Sequence, residues 1–186
     1  MLFTMEMGIS LFRHGVLNLM RYEEGFPWER IIIDAMKYGM STYIILGNYL
    51  NINFRLLHTA LKRLKFEEKI LIRRGFTYYQ ILQIVLELSS YHDLILFFHD
   101  PISFQDLSTE EKFALSQAVI LNLLKYAETF DTISVFAHTE NFNFQYNVKR
   151  INAKPIKNGW KIISGGEEKF IYSDPAQVSL DYYLEV

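Results

Sequence analysis

Residues 93–100 read DLILFFHD, and this segment constrains the fold more than any other. Five consecutive apolar residues leave no side for water, and the run is too short for a buried helix. It is bounded by charge at both ends. That is the pattern of a strand covered on both faces at the centre of a parallel sheet. Such a strand needs helices above and below, and the flanking sequence supplies them. GVLNLM (15–20), STYIILG (41–47), KILIRR (69–74) and TISVFAH (132–138) read as further strands. Between them, WERIIIDAMKY (28–38), FRLLHTALKRL (54–64), TYYQILQIVLELSSY (77–91) and STEEKFALSQAVILNLLKYAETF (108–130) have helical spacing. Pro27 suits a first helical turn, Thr77 an N-cap, and Ser108 followed by Glu110 and Glu111 a capped start.

Strand–helix alternation predicts an α/β fold with a mainly parallel central sheet flanked by helices. The pattern changes after about residue 140. Residues 145–173 alternate short apolar and polar stretches, with Asn158-Gly159 and Gly165-Gly166 as turn signals. They predict an antiparallel, β-rich C-terminal end over about 143–186. The last stretch, QVSLDYYLEV, reads as a strand or a tail. No segment rich in Pro, Gly or Ser marks a boundary, so one domain over 1–186 is expected.

Composition narrows the classes. With 186 residues, 50% hydrophobic and 22% charged, the chain can bury a core. A net charge of −2 argues against a generally basic nucleic-acid binder. The absence of cysteine excludes disulfides, thiol nucleophiles and cysteine-ligated metals. It also excludes the zinc-deaminase reading of His138-x-Glu140, which needs two cysteines. There is no apolar run long enough for a membrane span. The start, MLFTMEMGISLFRHG, contains Glu6 and Arg13 and lacks a cleavage site, so no signal peptide is read and a cytoplasmic protein is expected.

The order of elements resembles the core of the RecA/RadA superfamily, in particular archaeal RadB-like and KaiC-like paralogues. GVLNLM, WERIIIDAMKYG, STYIILG, FRLLHTALKRL, KILIRRGFTYYQILQIVLEL, DLILFFHDPIS, the helix 108–130 and TISVFAH fill that family's places over roughly residues 8–140. The resemblance implies a P-loop NTPase-type core, and a sheet in which GVLNLM lies beside LILFFHD is the expected support for it.

The family's phosphate loop is G-x-x-x-x-G-K-[ST], whose backbone N–H groups wrap phosphates while the Lys and hydroxyl serve phosphate and Mg²⁺. Laid on that pattern, the two glycines are Tyr22 and Pro27, the lysine is Trp28 and the hydroxyl residue is Glu29. Pro27 removes a donor, Trp28 removes a charge, and Glu23, Glu24 and Glu29 add negative charge. Losing one well-placed donor costs roughly 3 kcal/mol of transition-state stabilisation, and several are lost together. Asp100 falls where the family's Mg²⁺-associated aspartate would be, with His99 in that place if the register slips by one. Asp100 also reads simply as a cap at the end of a buried strand.

The resemblance therefore implies a non-enzymatic RecA/RadA-like paralogue, a pseudo-ATPase without cofactor or metal. Its expected role is as a protein-interaction or accessory factor in DNA repair or recombination. The expected partner is a RecA-like or DNA-repair protein, or a second copy. No separate N-terminal DNA-binding segment is read, which points to action with other chains. Phe26 and Trp28 are candidate partner anchors. Lys149, Arg150, Lys154 and Lys157, in a basic stretch that includes Lys161 and Trp160, are candidate DNA contacts. A solvated hairpin face is the competing reading.

Two other classes stay open. Residues 54–75, with Lys62, Arg63, Lys65, Lys69, Arg73 and Arg74, could close a winged helix-turn-helix and make the chain a DNA-binding regulator. His99, Asp100, His138 and Glu140 could converge at neighbouring strand ends as a metal-dependent hydrolase site, although no defined ligand spacing is present.

Overall fold

A computed structural model describes residues 8–48, 52–65, 69–140, 142 and 145–172. The strands are β1 (Leu17–Arg21), β2 (Thr42–Leu46), β3 (Ile70–Arg74), β4 (Leu94–Phe98), β5 (Ile133–His138), β6 (Lys149–Ile156), β7 (Gly159–Ser164) and β8 (Glu167–Tyr172). The helices are α1 (Trp28–Lys37), α2 (Phe54–Leu64), α3 (Tyr78–Leu86) and α4 (Thr109–Phe130). All eight strands join one sheet in the order β3-β2-β4-β5-β1-β6-β7-β8. From β3 through β6 every pairing is parallel, whereas β6–β7 and β7–β8 are antiparallel. The α/β architecture with an antiparallel end is as expected. The stretch 177–186 lies outside the described residues.

One expected adjacency is corrected. β1 does not lie beside β4, because β5 runs between them and pairs in parallel with both. All six β5 residues are buried, which suits a strand enclosed by two neighbours and two helical layers.

Alternation along the strands divides the core. Met20, Ile44, Leu46, Leu96, Phe98, Val135 and Ala137 pack with the apolar stripes of α1 and α2. Leu17, Leu19, Ile45, Ile95, Phe97 and Phe136 pack with α3 and α4. Helix starts follow their caps. Thr77 and Ser108 each accept from the backbone N–H three residues on, and Gln80 and Glu111 reach back to complete capping boxes. α3 ends at Leu86 rather than extending to 91. The following segment is held by Tyr126, whose hydroxyl donates to the Ser90 carbonyl and accepts from the His92 N–H.

β6 extends the parallel sheet beside β1, and β7 and β8 fold back from it. Gly165 (φ +59°) and Gly166 (φ +84°) make the last turn in the left-handed region that glycine tolerates. Ile151, Ala153, Trp160, Ile162 and Ile171 of this end join the α1/α2 side of the core. The winged-helix alternative is also corrected. β3 pairs in parallel with β2, whereas a wing would need an antiparallel hairpin.

Candidate functional site

Parallel strands deliver their carboxyl ends to one edge of the sheet, and ligands of open α/β folds gather there. At this edge β1 passes through residues 22–27 into α1, and β4 passes through His99 and Asp100 into a short 3-10 turn, Pro101–Phe104. A cleft of about 410 Å³ opens between them, lined by Tyr22, Glu23, Glu24, His99, Asp100, Pro101, Ile102 and Thr139.

The joint 22–27 is an aromatic plug. Tyr22, Phe26 and Trp28 are at most 3% exposed, and Trp28 is at 0%. The Trp28 ring meets Tyr22 at 5.2 Å, Phe26 at 4.9 Å and Phe98 of β4 at 4.9 Å, all near edge-to-face. Phe26 also meets Trp160 of β7 at 5.2 Å. The backbone turns inward with the rings. The Phe26 N–H donates to the Glu23 carbonyl and the Trp28 N–H to the Phe26 carbonyl, while Pro27 has no N–H. A phosphate cradle needs these donors pointing outward. The Glu29 carboxylate accepts from the backbone N–H of Asn53, the N-cap of α2, and so ties the starts of the two helices together. Phe26 and Trp28 are therefore core residues, and the expectation that they present a partner surface is corrected. Their loop position suggested exposure, but Trp160 and Phe98 enclose them.

Asp100 is 1% exposed. One carboxylate oxygen accepts from the Asn48 N–H (2.5 Å) and the Ser103 hydroxyl (3.0 Å), and the other from the Ile102 N–H (2.9 Å). It caps the 3-10 turn and ties the ends of β2 and β4 together. Gly47 permits this approach, since a Cβ there would lie 2.5 Å from Asp100.

His99 and His138 end neighbouring strands and are buried. His99 sits among Phe104, Phe136 and Phe142, with ring centroids 4.7–5.5 Å away. Its Nε2 is 3.5 Å from a Glu140 carboxylate oxygen, and neither ring nitrogen makes a well-formed hydrogen bond. Burial pushes the His99 pKa down against the pull of Glu140, and the contact with His99 lowers the Glu140 pKa in turn. The Nδ1 of His138 lies 2.7 Å from the Glu140 carbonyl, which assigns the proton to Nδ1. Burial takes the His138 pKa down to about 4, with His99 and Arg21 adding to the effect.

A histidine held neutral on folding makes stability depend on pH. Between about pH 4 and 6.5 the unfolded chain binds the proton and the native chain does not, so stability rises with pH across that window and levels off above it. The His138 shift corresponds to a loss on the order of 3 kcal/mol at the acid end. Urea unfolding across this range should show that slope, and His138→Asn, which keeps a donor near the Nδ1 position, should reduce it.

The set His99, Asp100, His138 and Glu140 does not converge on a metal. Asp100 is engaged by Asn48, Ile102 and Ser103, and Glu140 turns its carboxylate to His99 and its carbonyl to His138. Among the described residues, no group of three or more His, Cys, Asp or Glu could hold a metal ion. The expected convergence of these four residues on a metal is corrected accordingly.

The candidate DNA contacts divide. Lys149 is half-buried and its Nζ donates to the Leu11 carbonyl (2.8 Å), so it fastens β6 to the 3-10 turn Ile9–Leu11. Arg150, Lys154 and Lys157 are exposed. Arg150 lines a second cleft of about 310 Å³ with Arg21, His138 and Asn152. In the other basic stretch, Arg74 donates to the Gly47 and Asn48 carbonyls and Lys69 to the Gly39 carbonyl, which gives both structural roles.

The sequence reading missed an exposed apolar group on the same edge. Phe76, Tyr79 and Ile102 are 60%, 54% and 45% exposed. The one available signal was their position directly after β3 and β4, where a connection leaves the sheet.

No family model matches this chain, and no curated protein matches it. Among solved structures, a crystal structure of the RadB recombinase superposes on 87% of this chain and 88% of its own, with a TM-score of 0.60 at 8% sequence identity. The chain has a RecA/RadA-like fold. No helix among the described residues is long and apolar enough to cross a membrane.

Proposed function

We propose that this is a non-catalytic RecA/RadA-like protein, a pseudo-ATPase that acts as a protein-interaction or accessory factor in DNA repair or recombination. One observation carries the reading. The joint between β1 and α1, where this fold would place a phosphate loop, is filled by the mutually packed rings of Tyr22, Phe26 and Trp28. Laid on the phosphate-loop pattern, Trp28 stands at the lysine position, and Glu23 and Glu24 bring carboxylates to the neighbouring cleft. A triphosphate placed there would meet repulsion and would lack the wrapped N–H donors. Asp100, which the resemblance sets at the Mg²⁺-associated aspartate's position, is committed to Asn48, Ile102 and Ser103 and serves as a cap.

The function left to such a core is binding. A RecA-like or DNA-repair protein is the partner class that accords with the fold. Phosphate release from ATP, measured with and without single-stranded DNA, tests the reading. Release should not rise above a protein-free control. Turnover that Asp100→Asn abolishes would overturn it.

A further inference from the structure

The carboxyl edge of the sheet combines two features that a binding partner can read. The first is the exposed apolar group Phe76, Tyr79 and Ile102. Phe76 precedes α3, Tyr79 lies in its first turn and Ile102 in the 3-10 turn after β4, yet they form one neighbourhood. Asn48 Nδ2 donates to the Phe76 carbonyl and lies 3.4 Å from the Ser103 hydroxyl, which joins the end of β3 to the turn carrying Ile102. Phe104 of that turn stacks on Tyr78 at 3.9 Å, next to Tyr79. The Arg74 guanidinium lies 5.1 Å from the Phe76 ring centroid and bounds the group on one side.

The second feature is negative charge. Ile102 also lines the 410 Å³ cleft, whose wall includes the exposed Glu23 and Glu24. The Glu111 carboxylate is 3.5 Å from the Tyr79 hydroxyl on another side. Arg74 bounds the Phe76 side, whereas the cleft and the Tyr79 side carry carboxylates. Exposed aromatic side chains can anchor a partner, and the acidic cleft selects a basic residue beside the anchor.

We infer that this edge docks a short segment of a protein partner in which apolar and basic residues alternate. The apolar side chain sits on Phe76, Tyr79 and Ile102, and a lysine or arginine enters the cleft toward Glu23 and Glu24. The inference rests on the reading that the cleft does not take nucleotide, since a bound triphosphate would reverse its charge.

Three acetylated, amidated peptides test it by NMR titration of the full chain. The first alternates arginine with leucine, the second replaces arginine with glutamate, and the third replaces leucine with serine. The first should bind at least about tenfold more tightly than the others, which corresponds to roughly 1.4 kcal/mol. Its shift changes should centre on residues 22–24, 76–79 and 100–103. The pairs Phe76→Ser with Tyr79→Ser and Glu23→Lys with Glu24→Lys, all at exposed positions, should each weaken it about tenfold or more while thermal melting is unchanged.

Equal affinity for all three peptides, changes centred on β6 and β7, or no binding at roughly 10 mM would overturn the inference. A parallel titration with ATP and Mg²⁺ separates the two readings. Nucleotide entering the cleft would sink the pseudo-ATPase reading as well, whereas silence from both ligands would remove only the docking surface.

Discussion

Replacing Trp28 with lysine, the residue a phosphate loop would carry there, should destabilise the protein by about 4 kcal/mol or more and should not create nucleotide binding. Truncating a buried Trp costs about 3–5 kcal/mol through lost transfer energy and the cavity left behind. Trp28 is at that extreme, with 0% exposure and three aromatic neighbours within 5.2 Å. Lysine adds the cost of an ammonium inside an aromatic cage. Trp28→Phe should cost much less, since the Trp28 Nε1 is buried without a hydrogen-bond partner and its removal offsets part of the lost volume. Denaturant unfolding of the variants gives this order directly. A Trp28→Lys protein of native stability would mean that the plug is dispensable and the loop can reopen.

Asp100→Ala should cost about 3–4 kcal/mol. The carboxylate accepts from two backbone N–H groups and one hydroxyl at 1% exposure, and its removal strands these donors away from water. Each unsatisfied buried donor costs about 1–3 kcal/mol. Gly47→Ala should destabilise the same junction from the other side, because its Cβ would press on Asp100 at 2.5 Å. The measurement is again denaturant unfolding. An Asp100→Ala variant as stable as the parent would leave the aspartate without a structural role and restore interest in it as a metal ligand.

Much of the fold was legible from local pattern. The α2 boundaries follow from apolar spacing over 54–64, and the capping boxes at Thr77 and Ser108 are visible as residue types three apart. DLILFFHD announces a doubly covered strand, and β4 is buried along its whole length. The order of strands was not legible. Whether β5 lies beside β1 is decided by the path taken through the 22 residues of α4, and no local periodicity encodes it.

The site divides the same way. The loss of phosphate-loop chemistry in RYEEGFPWER is readable residue by residue. The fate of Phe26 and Trp28 is not, because burying a loop aromatic depends on what arrives opposite it. Here that is Trp160, brought in by a hairpin from the far end of the chain. For Asp100, the capping alternative matches the bonds it makes, yet its partner Asn48 comes from a different strand connection and could not be named in advance.

Calorimetric titration of the intact protein with ATP in excess Mg²⁺ tests the central claim most directly. With the cradle filled by Tyr22, Phe26 and Trp28, no binding heat is expected up to roughly millimolar nucleotide, which corresponds to less than about 4 kcal/mol of binding free energy. A saturable isotherm with micromolar affinity would show that the joint between β1 and α1 still holds phosphate, and would contradict the account.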